Sequence, residues 1–348
     1  MSRNGQGIIA SAVAVAALLA GCGGGADRQE PRSNGADRPP EGFEGDGRTK
    51  RSNFAYLSQF GGPAPSPPPT PGPSEFNNPD GVAVDPASRA VYVVDSSNNR
   101  VQRFDADGTY RSQFGGEGRG PGELLRPADV AIDPATHDVY VSEFFNQRVS
   151  KFTADGTYVS QFGELGSGPG EFQGPGGVAV DPASHDVYVA DTAHARVEKF
   201  RPDGTFVSEF GSPGTGRGQF TVPTAVGVDP RTRQVFVSDS DRIQVFTPEG
   251  KYLRQFGTPG TGPGQLRQTA GLAVDRSRNS IYVVDASNDR LMQFTTAGKY
   301  LSEFGTTGKG DGEFDRPTGV AVDPTSRRVY VVDNKNSRVQ ILTAPRRN

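Results

Sequence analysis

The chain has 348 residues, of which glycine (46) and proline (28) supply about a fifth; tryptophan is absent and apolar residues reach only 33%. Such a composition disfavours helix interiors and suits a chain that turns often. Thirty-seven Lys and Arg against 40 Asp and Glu give a net charge of −3, so no basic field invites nucleic acid. One cysteine excludes an intrachain disulfide and a cysteine-rich zinc site.

Residues 8–19 form an apolar run broken only by Ser11. A membrane span needs about 20 residues, so this run reads as the core of a signal peptide over residues 1–21. Leu19-Ala20-Gly21-Cys22 follows at once, and Cys22 is the only cysteine. This tetrad resembles the bacterial lipoprotein lipobox. The resemblance implies that Cys22 is lipidated and becomes the first residue of the mature chain, anchored to a bacterial membrane outside the cytoplasm, at the cell surface or in the periplasm. The competing reading is an ordinary secretory signal with an incidental cysteine. Residues 22–53 hold six acids, six bases and one large apolar residue, Phe43, so they are expected to be a disordered tether.

From residue 54 the sequence repeats. Asp85, Asp133, Asp181, Asp229, Asp275 and Asp323 follow one another at intervals of 48, 48, 48, 46 and 48 residues, and a series of arginines from Arg100 to Arg338 keeps step. Each copy holds four short β-branched or aromatic segments. Asp-Pro commonly marks the first turn, and Asp-Gly marks the third in several copies, as in Asp107-Gly108. Four strands in about 48 residues fit a propeller blade, and the Gly-Pro loops exclude a helical repeat. The sixth copy stops at Thr343 without its fourth strand, and that strand appears at the other end as Phe54-Ala-Tyr-Leu-Ser-Gln-Phe-Gly61. The sequence therefore predicts an all-β, six-bladed propeller over 54–343, closed by its N-terminal strand, with a C-terminal tail over 344–348. The proline-rich insertion 62–73 is expected to be an extended connector.

The pattern Pro-x-Gly-Val-Ala-Val-Asp, Val-Tyr-Val-x-Asp, Asn-x-Arg-Val, Phe resembles the NHL repeat. Families with such propellers include binding modules, membrane sensor domains, the peptide-amidating lyase and, more distantly, lactonases. What recurs in every copy is read as scaffold. Asp95 with Arg100, and its counterparts, predict a salt bridge inside each blade. The terminal Phe60, Phe114, Phe162, Phe210, Phe256 and Phe304 predict packing between blades. Asp105–Gly108 resembles the opening of a calcium loop but lacks the Glu at position 12, so it reads as a hairpin turn.

Function is sought where copies differ, on the face shared by the entrances to first strands and the second-to-third loops. Asp80 and Asp129 stand at such entrances. Glu143-Phe144-Phe145 replaces the Asp and mostly small or polar residues found elsewhere, His194 joins the same loop set, and Asp239 begins a loop shortened by two. These seven residues form the candidate binding face. The blander reading tucks one Phe against the third blade and leaves the acids solvated. His137 and His185 fall on the opposite face, so no three-histidine zinc site is recognisable.

The favoured function is a binding or sensor module for a protein, peptide or glycan, acting as a monomer, joined to the membrane only by its lipid and binding no nucleic acid. The alternative is a metal-dependent hydrolase or lyase, lactonase-like or peptide-amidating-lyase-like, whose mouth carboxylates Asp80, Asp129, Glu143 and Asp239 hold a divalent cation such as calcium.

Overall fold

Turn residues cut each repeat into segments too short for anything but strands, and the chain folds each repeat into a four-stranded antiparallel meander. A computed structural model describes residues 54–63 and 72–344. The signal segment, Cys22, the tether, the insertion's residues 64–71 and tail residues 345–348 lie outside them. Blade 1 comprises Pro79–Val84, Val91–Asp95, Arg100–Phe104 and Tyr110–Gly115; blade 2 comprises Pro127–Ile132, Val139–Glu143, Arg148–Phe152 and Tyr158–Phe162. Blade 3 follows as Pro175–Val180, Val187–Asp191, Arg196–Phe200 and Phe206–Phe210, and blade 4 as Pro223–Val228, Val235–Asp239, Arg242–Phe246 and Tyr252–Phe256. Blade 5 is Thr269–Asp275, Ser280–Asp285, Arg290–Thr295 and Tyr300–Phe304. Blade 6 takes Pro317–Val322, Arg328–Asp333 and Arg338–Thr343 from the C-terminal end and Ala55–Phe60 from the N-terminal end. Ala55 pairs with Thr343 and Phe60 with Val339, antiparallel, so the ring closes as the repeat arithmetic predicts. First strands pack side by side around the axis, the sixth against the first. Among the described residues no helix is long and apolar enough to cross a membrane.

The core lies between blades. Tyr92 and Val94 of blade 1, for example, cluster with Val130, Val139, Val141 and Phe152 of blade 2. Each terminal Phe reaches the next blade: Phe60 lies 4.6 Å from Phe104, Phe114 4.7 Å from Phe152 and Phe162 4.6 Å from Phe200, between ring centroids. The Asp-Gly turns make room for these rings. A Cβ on Gly156, whose φ is +91°, would stand 2.6 Å from the Phe114 ring, so glycine is needed there for both backbone and space. Second-strand tyrosines add a polar latch. Tyr92 donates to the Ala154 carbonyl at 2.7 Å, Tyr188 to Pro248 at 3.0 Å and Tyr330 to Ala106 at 2.8 Å, each in the next blade. A buried hydroxyl needs such a partner, and the carbonyl in the turn supplies it.

On the face opposite the second-to-third loops, the repeated Asp of one blade meets a residue of the next. Asp323 pairs with Arg89 at 2.8 Å, Asp85 with His137 at 3.0 Å, Asp133 with His185 at 3.0 Å and Asp181 with Arg233 at 2.7 Å. Burial works against the Asp85 anion, yet the Ser88 hydroxyl, the Ala87 amide and His137 hold its pKa below the ordinary value. Two of the three histidines are thus clasps between blades.

Candidate binding face at the channel mouth

The second-to-third loops lie against the entrances to the first strands. Ser97 donates its N–H to the Asn77 carbonyl at 3.1 Å, Phe144 to Arg126 at 3.1 Å, Ala193 to Gln173 at 3.2 Å and Lys335 to Asp315 at 3.1 Å. These loops form the mouth face, and one buried ion pair per blade organises them. Arg100 donates to Asp95 at 2.8 Å, Arg196 to Asp191 at 3.0 Å, Arg290 to Asp285 at 2.8 Å and Arg338 to Asp333 at 2.7 Å. The same carboxylates accept backbone N–H groups from the strand entrances, such as Asn77 at 2.8 Å and Gln173 at 2.9 Å. The acid therefore welds hairpin to entrance.

Glu143 and Asp239 belong to this scaffold, which corrects their assignment to the binding face. Glu143 is fully buried and accepts from Arg148 Nε and Ser150 Oγ, both at 2.6 Å, and from the Leu125 amide at 3.1 Å. Its extra methylene moves the carboxylate without changing its task. Asp239 is equally buried and accepts from Arg242 Nε at 2.9 Å and from the amides of Thr221 at 2.7 Å and Val222 at 2.9 Å. His194 is tied to the same frame, with Nδ1 2.7 Å from Asp191 Oδ2. It stands where Asn98, Asn288 and Asn336 donate to their own blade's acid at 2.9, 2.8 and 2.9 Å. That role of the Asn two residues before the Arg was missed in the sequence, although the Asn-x-Arg spacing carries its signal.

The two phenylalanines divide. Phe144 is only 9% exposed and sits against Gly174 of the blade 3 entrance, where a Cβ would come within 2.8 Å of its ring. Phe145 stacks edge-on to it at 5.5 Å and is 50% exposed. One ring is core and the other remains on the face.

Asp80 and Asp129 do come together. A Cβ on Gly81 would collide with Asp129 Oδ1 and Cα, so the second acid occupies space that the glycine beside Asp80 leaves free. Asp129 Oδ2 accepts the Val178 N–H of blade 3 at 3.1 Å, and its carboxyl thus bridges three blades near the axis. Burial pushes Asp80 up to about 7 against the pull of Arg126 and the Thr318 hydroxyl. Burial also pushes Asp129 up to about 7, opposed by the Val178 and Val130 amides and reinforced by Asp80. Other blades carry Ala, Gly or Thr at these places.

A family model described as a 6-bladed beta-propeller matches residues 78–155 and 231–296, and the NHL repeat model matches 172–200 and 314–342. The chain is a six-bladed propeller that carries NHL repeats. No curated protein matches it in sequence. Among solved structures the NHL propeller is similar to a streptogramin B lyase, with 16% identity, a TM-score of 0.56 and coverage of 83% of this chain and 97% of that one. An auxiliary nutrient binding protein from Bacteroides thetaiotaomicron VPI-5482 shows 13% identity, a TM-score of 0.59 and coverage of 78% and 70%. Virginiamycin B lyase from Staphylococcus aureus, solved as a catalytically inactive H270A form with quinupristin, shows 14% identity, a TM-score of 0.54 and coverage of 83% and 99%. At these identities the likeness is one of fold.

Within the NHL propeller, the four-carboxylate cation site expected at the mouth does not assemble, because Arg148 and Arg242 engage Glu143 and Asp239. Among the described residues no group of three or more His, Cys, Asp or Glu side chains is placed to hold a metal ion. What remains on the face is the Asp80–Asp129 pair, the Phe145 ring and His194.

Proposed function

We propose that this NHL propeller is an extracytoplasmic binding or sensor module, tethered to a bacterial membrane through lipidated Cys22, that engages a protein, peptide or glycan at its channel mouth. The observation that carries the reading is the gathering of unlike residues in blades 1 to 3 of an otherwise repeated ring. An exposed aromatic ring, Phe145, stands on the blade whose inner strand bears the recessed carboxyl of Asp129. Aromatic anchors beside a few placed polar groups are the usual makings of a recognition site. The adjacent acids favour a ligand with a cationic or hydrogen-bond-donating group. Peptide and glycan arrays probed with the full chain test this, with Phe145→Ala and Asp129→Asn expected to weaken the same hits. Retained binding by both variants removes the mouth from consideration. Release of a Cys22→Ser protein from the membrane fraction tests the anchor.

A second reading is supported by the two carboxyls at about 7. Groups of that pKa serve well as acid and base, so a hydrolase or lyase is the alternative. Its mark is turnover of an ester, lactone or cyclic peptide that Asp129→Asn abolishes without loss of fold.

A further inference from the structure

Blade 3 breaks the scaffold rule at one buried position, Glu198. The equivalent residues in blades 1, 4 and 6 are Gln102, Gln244 and Gln340. Each uses both ends of its amide. Nε2 donates to a carbonyl of the connection leading into its blade: Glu75 at 2.9 Å, Gln219 at 2.6 Å and Glu313 at 2.6 Å. The same Nε2 also faces the blade's acid, at 3.2 Å from Asp95, 3.3 Å from Asp239 and 3.1 Å from Asp333. Oε1 accepts the amides of Ser74, Gly218 and Gly312, at 2.9, 2.9 and 2.8 Å.

Glu198 is placed alike but has the wrong chemistry for one end. Oε2 accepts the Gly170 N–H at 2.9 Å, as the glutamine oxygens do. Oε1 then falls in the seat of the donating nitrogen. It is fully buried and receives no hydrogen bond. Arg196 Nη2 lies 2.5 Å away but has no proton to give it. A guanidinium has five N–H groups. Arg196 spends Nε on Asp191 at 3.0 Å, Nη1 on the Ser167 carbonyl at 3.1 Å and Glu209 at 2.6 Å, and Nη2 on the carbonyls of Gly168 at 3.0 Å and Glu171 at 2.7 Å. A buried oxygen that accepts no hydrogen bond, standing where the sister glutamines carry a donating nitrogen, calls for a proton of its own.

We propose that Glu198 is a proton-operated latch: as a neutral acid it donates from Oε1 to the Glu171 carbonyl and the Asp191 carboxylate, and on losing that proton to solvent it releases the connection spanning residues 163–173. The charges facing it agree. Asp191 comes from the second strand, Glu209 stands opposite Glu198 on the outer strand, and the Glu171 carboxylate is turned to the Gly168 amide at 2.8 Å. Against these anions stand Arg196 and, on Asp191, His194. Burial pushes Glu198 up to about 7, with Asp191 and Glu209 adding to the rise and Arg196 and the Gly170 amide opposing it.

The connection that the latch holds borders the proposed binding face. Gly163 lies beside the Gln147 carbonyl, and Gly174 donates to Gln147 Oε1 at 2.6 Å, two residues from Phe145. Leu165, on the same connection, is 70% exposed. Any effect on ligand affinity rests on the binding reading above, whereas the latch does not.

Hydrogen exchange of the full chain, corrected for the intrinsic rate, tests the latch between about pH 5 and about pH 9. Exchange over residues 164–172 should rise about tenfold relative to residues 212–220 of blade 4, which Gln244 holds. Glu198→Gln should flatten that rise, and the fold should accept it because three sister blades already use glutamine. A flat wild-type profile, or the same rise in Glu198→Gln, overturns the proposal. Isotope-edited infrared spectra of glutamate-labelled protein give an independent reading. A protonated-carboxyl band present below neutrality and missing in Glu198→Gln supports the latch, and its absence from the wild type overturns it.

Discussion

Arg254 lies over the ring of Phe236, with Cζ 5.8 Å from the centroid, and donates from Nη2 to the Thr296 carbonyl at 2.5 Å. Phe236 stands where blades 1, 2, 3 and 6 have a tyrosine whose hydroxyl latches the next blade. Blade 4 has no such hydroxyl, and the guanidinium of its outer strand reaches across the bare ring to the equivalent turn of blade 5. The seam keeps its hydrogen bond by a different donor.

Arg254→Ala should therefore cost more than a surface arginine normally would, about 1–3 kcal/mol, because it strands a carbonyl at the seam. Phe236→Tyr in the Arg254→Ala background should restore most of the loss, since the new hydroxyl occupies the place used by Tyr92 and Tyr188. Urea unfolding of the two single variants and the double variant forms the cycle. Simple additivity of the two changes contradicts the substitution of donors.

Phe144 and Phe145 are adjacent in sequence but should behave oppositely. Phe144→Ala empties a site against Gly174 and should destabilise by about 3 kcal/mol. Phe145→Ala removes an exposed ring and should shift stability by no more than about 0.5 kcal/mol. Only the second change can report on ligand binding without confounding it with folding. Comparison of their thermal midpoints decides the matter, and equal losses would refute the division.

The ring was legible because it is written six times. The 48-residue interval, the Asp-Gly turns and the displaced strand Phe54–Gly61 sufficed for blade count and closure. The site was legible only in part. Glu143 looked like a departure because its residue type changes, yet a carboxylate facing Arg148 is what the scaffold asks for. Asp239 was drawn in by a shortened loop that leaves its ion pair intact. Conversely, Glu198 passed as one more polar residue on a third strand. Its oddity emerges only when the hydrogens of Arg196 are assigned one by one. The clasp of Asp85 by His137 joins residues 52 positions apart and depends on how blades meet. Nothing in the local pattern announces it.

Asp80 and Asp129 should make the ring sensitive to alkali. Both are raised from 3.8 to about 7 by burial, so between those values the folded state holds protons that the unfolded chain has lost. Stability is then greatest at the acid end of that window and falls as pH rises through it, levelling off above about 7. Asp129→Asn removes one of the two titrations and the repulsion it exerts on Asp80. The variant should melt higher than the wild type at about pH 8, and the gap should narrow steadily as pH falls, closing only near about pH 4, where the unfolded carboxyl is protonated as well. A wild-type midpoint that rises steadily from pH 5 to 8 contradicts the raised values.

Closure makes the strongest demand on the N-terminal strand. Phe60 stacks on Phe104 at 4.6 Å, Phe54 meets Tyr282 at 5.8 Å, and Gln59 receives Arg338 Nη1 at 2.7 Å. Deleting residues 54–60 strips two buried rings and leaves the Arg338–Thr343 strand as an open edge. The loss should reach about 5 kcal/mol or more, a large share of the stability of an ordinary domain. Covalent order is not what matters, because Ala55–Phe60 pairs with Arg338–Thr343 as any outer strand pairs with its neighbour. A permuted chain that carries residues 54–61 after residue 344, joined by a short glycine-rich turn, should regain nearly all of the lost stability. The thermal midpoints of the deleted and permuted chains test the argument together. A deletion without effect would show that five complete blades and a three-stranded sixth suffice. A permutant as unstable as the deletion would show that the strand's attachment at the N-terminus, and not its pairing, holds the ring.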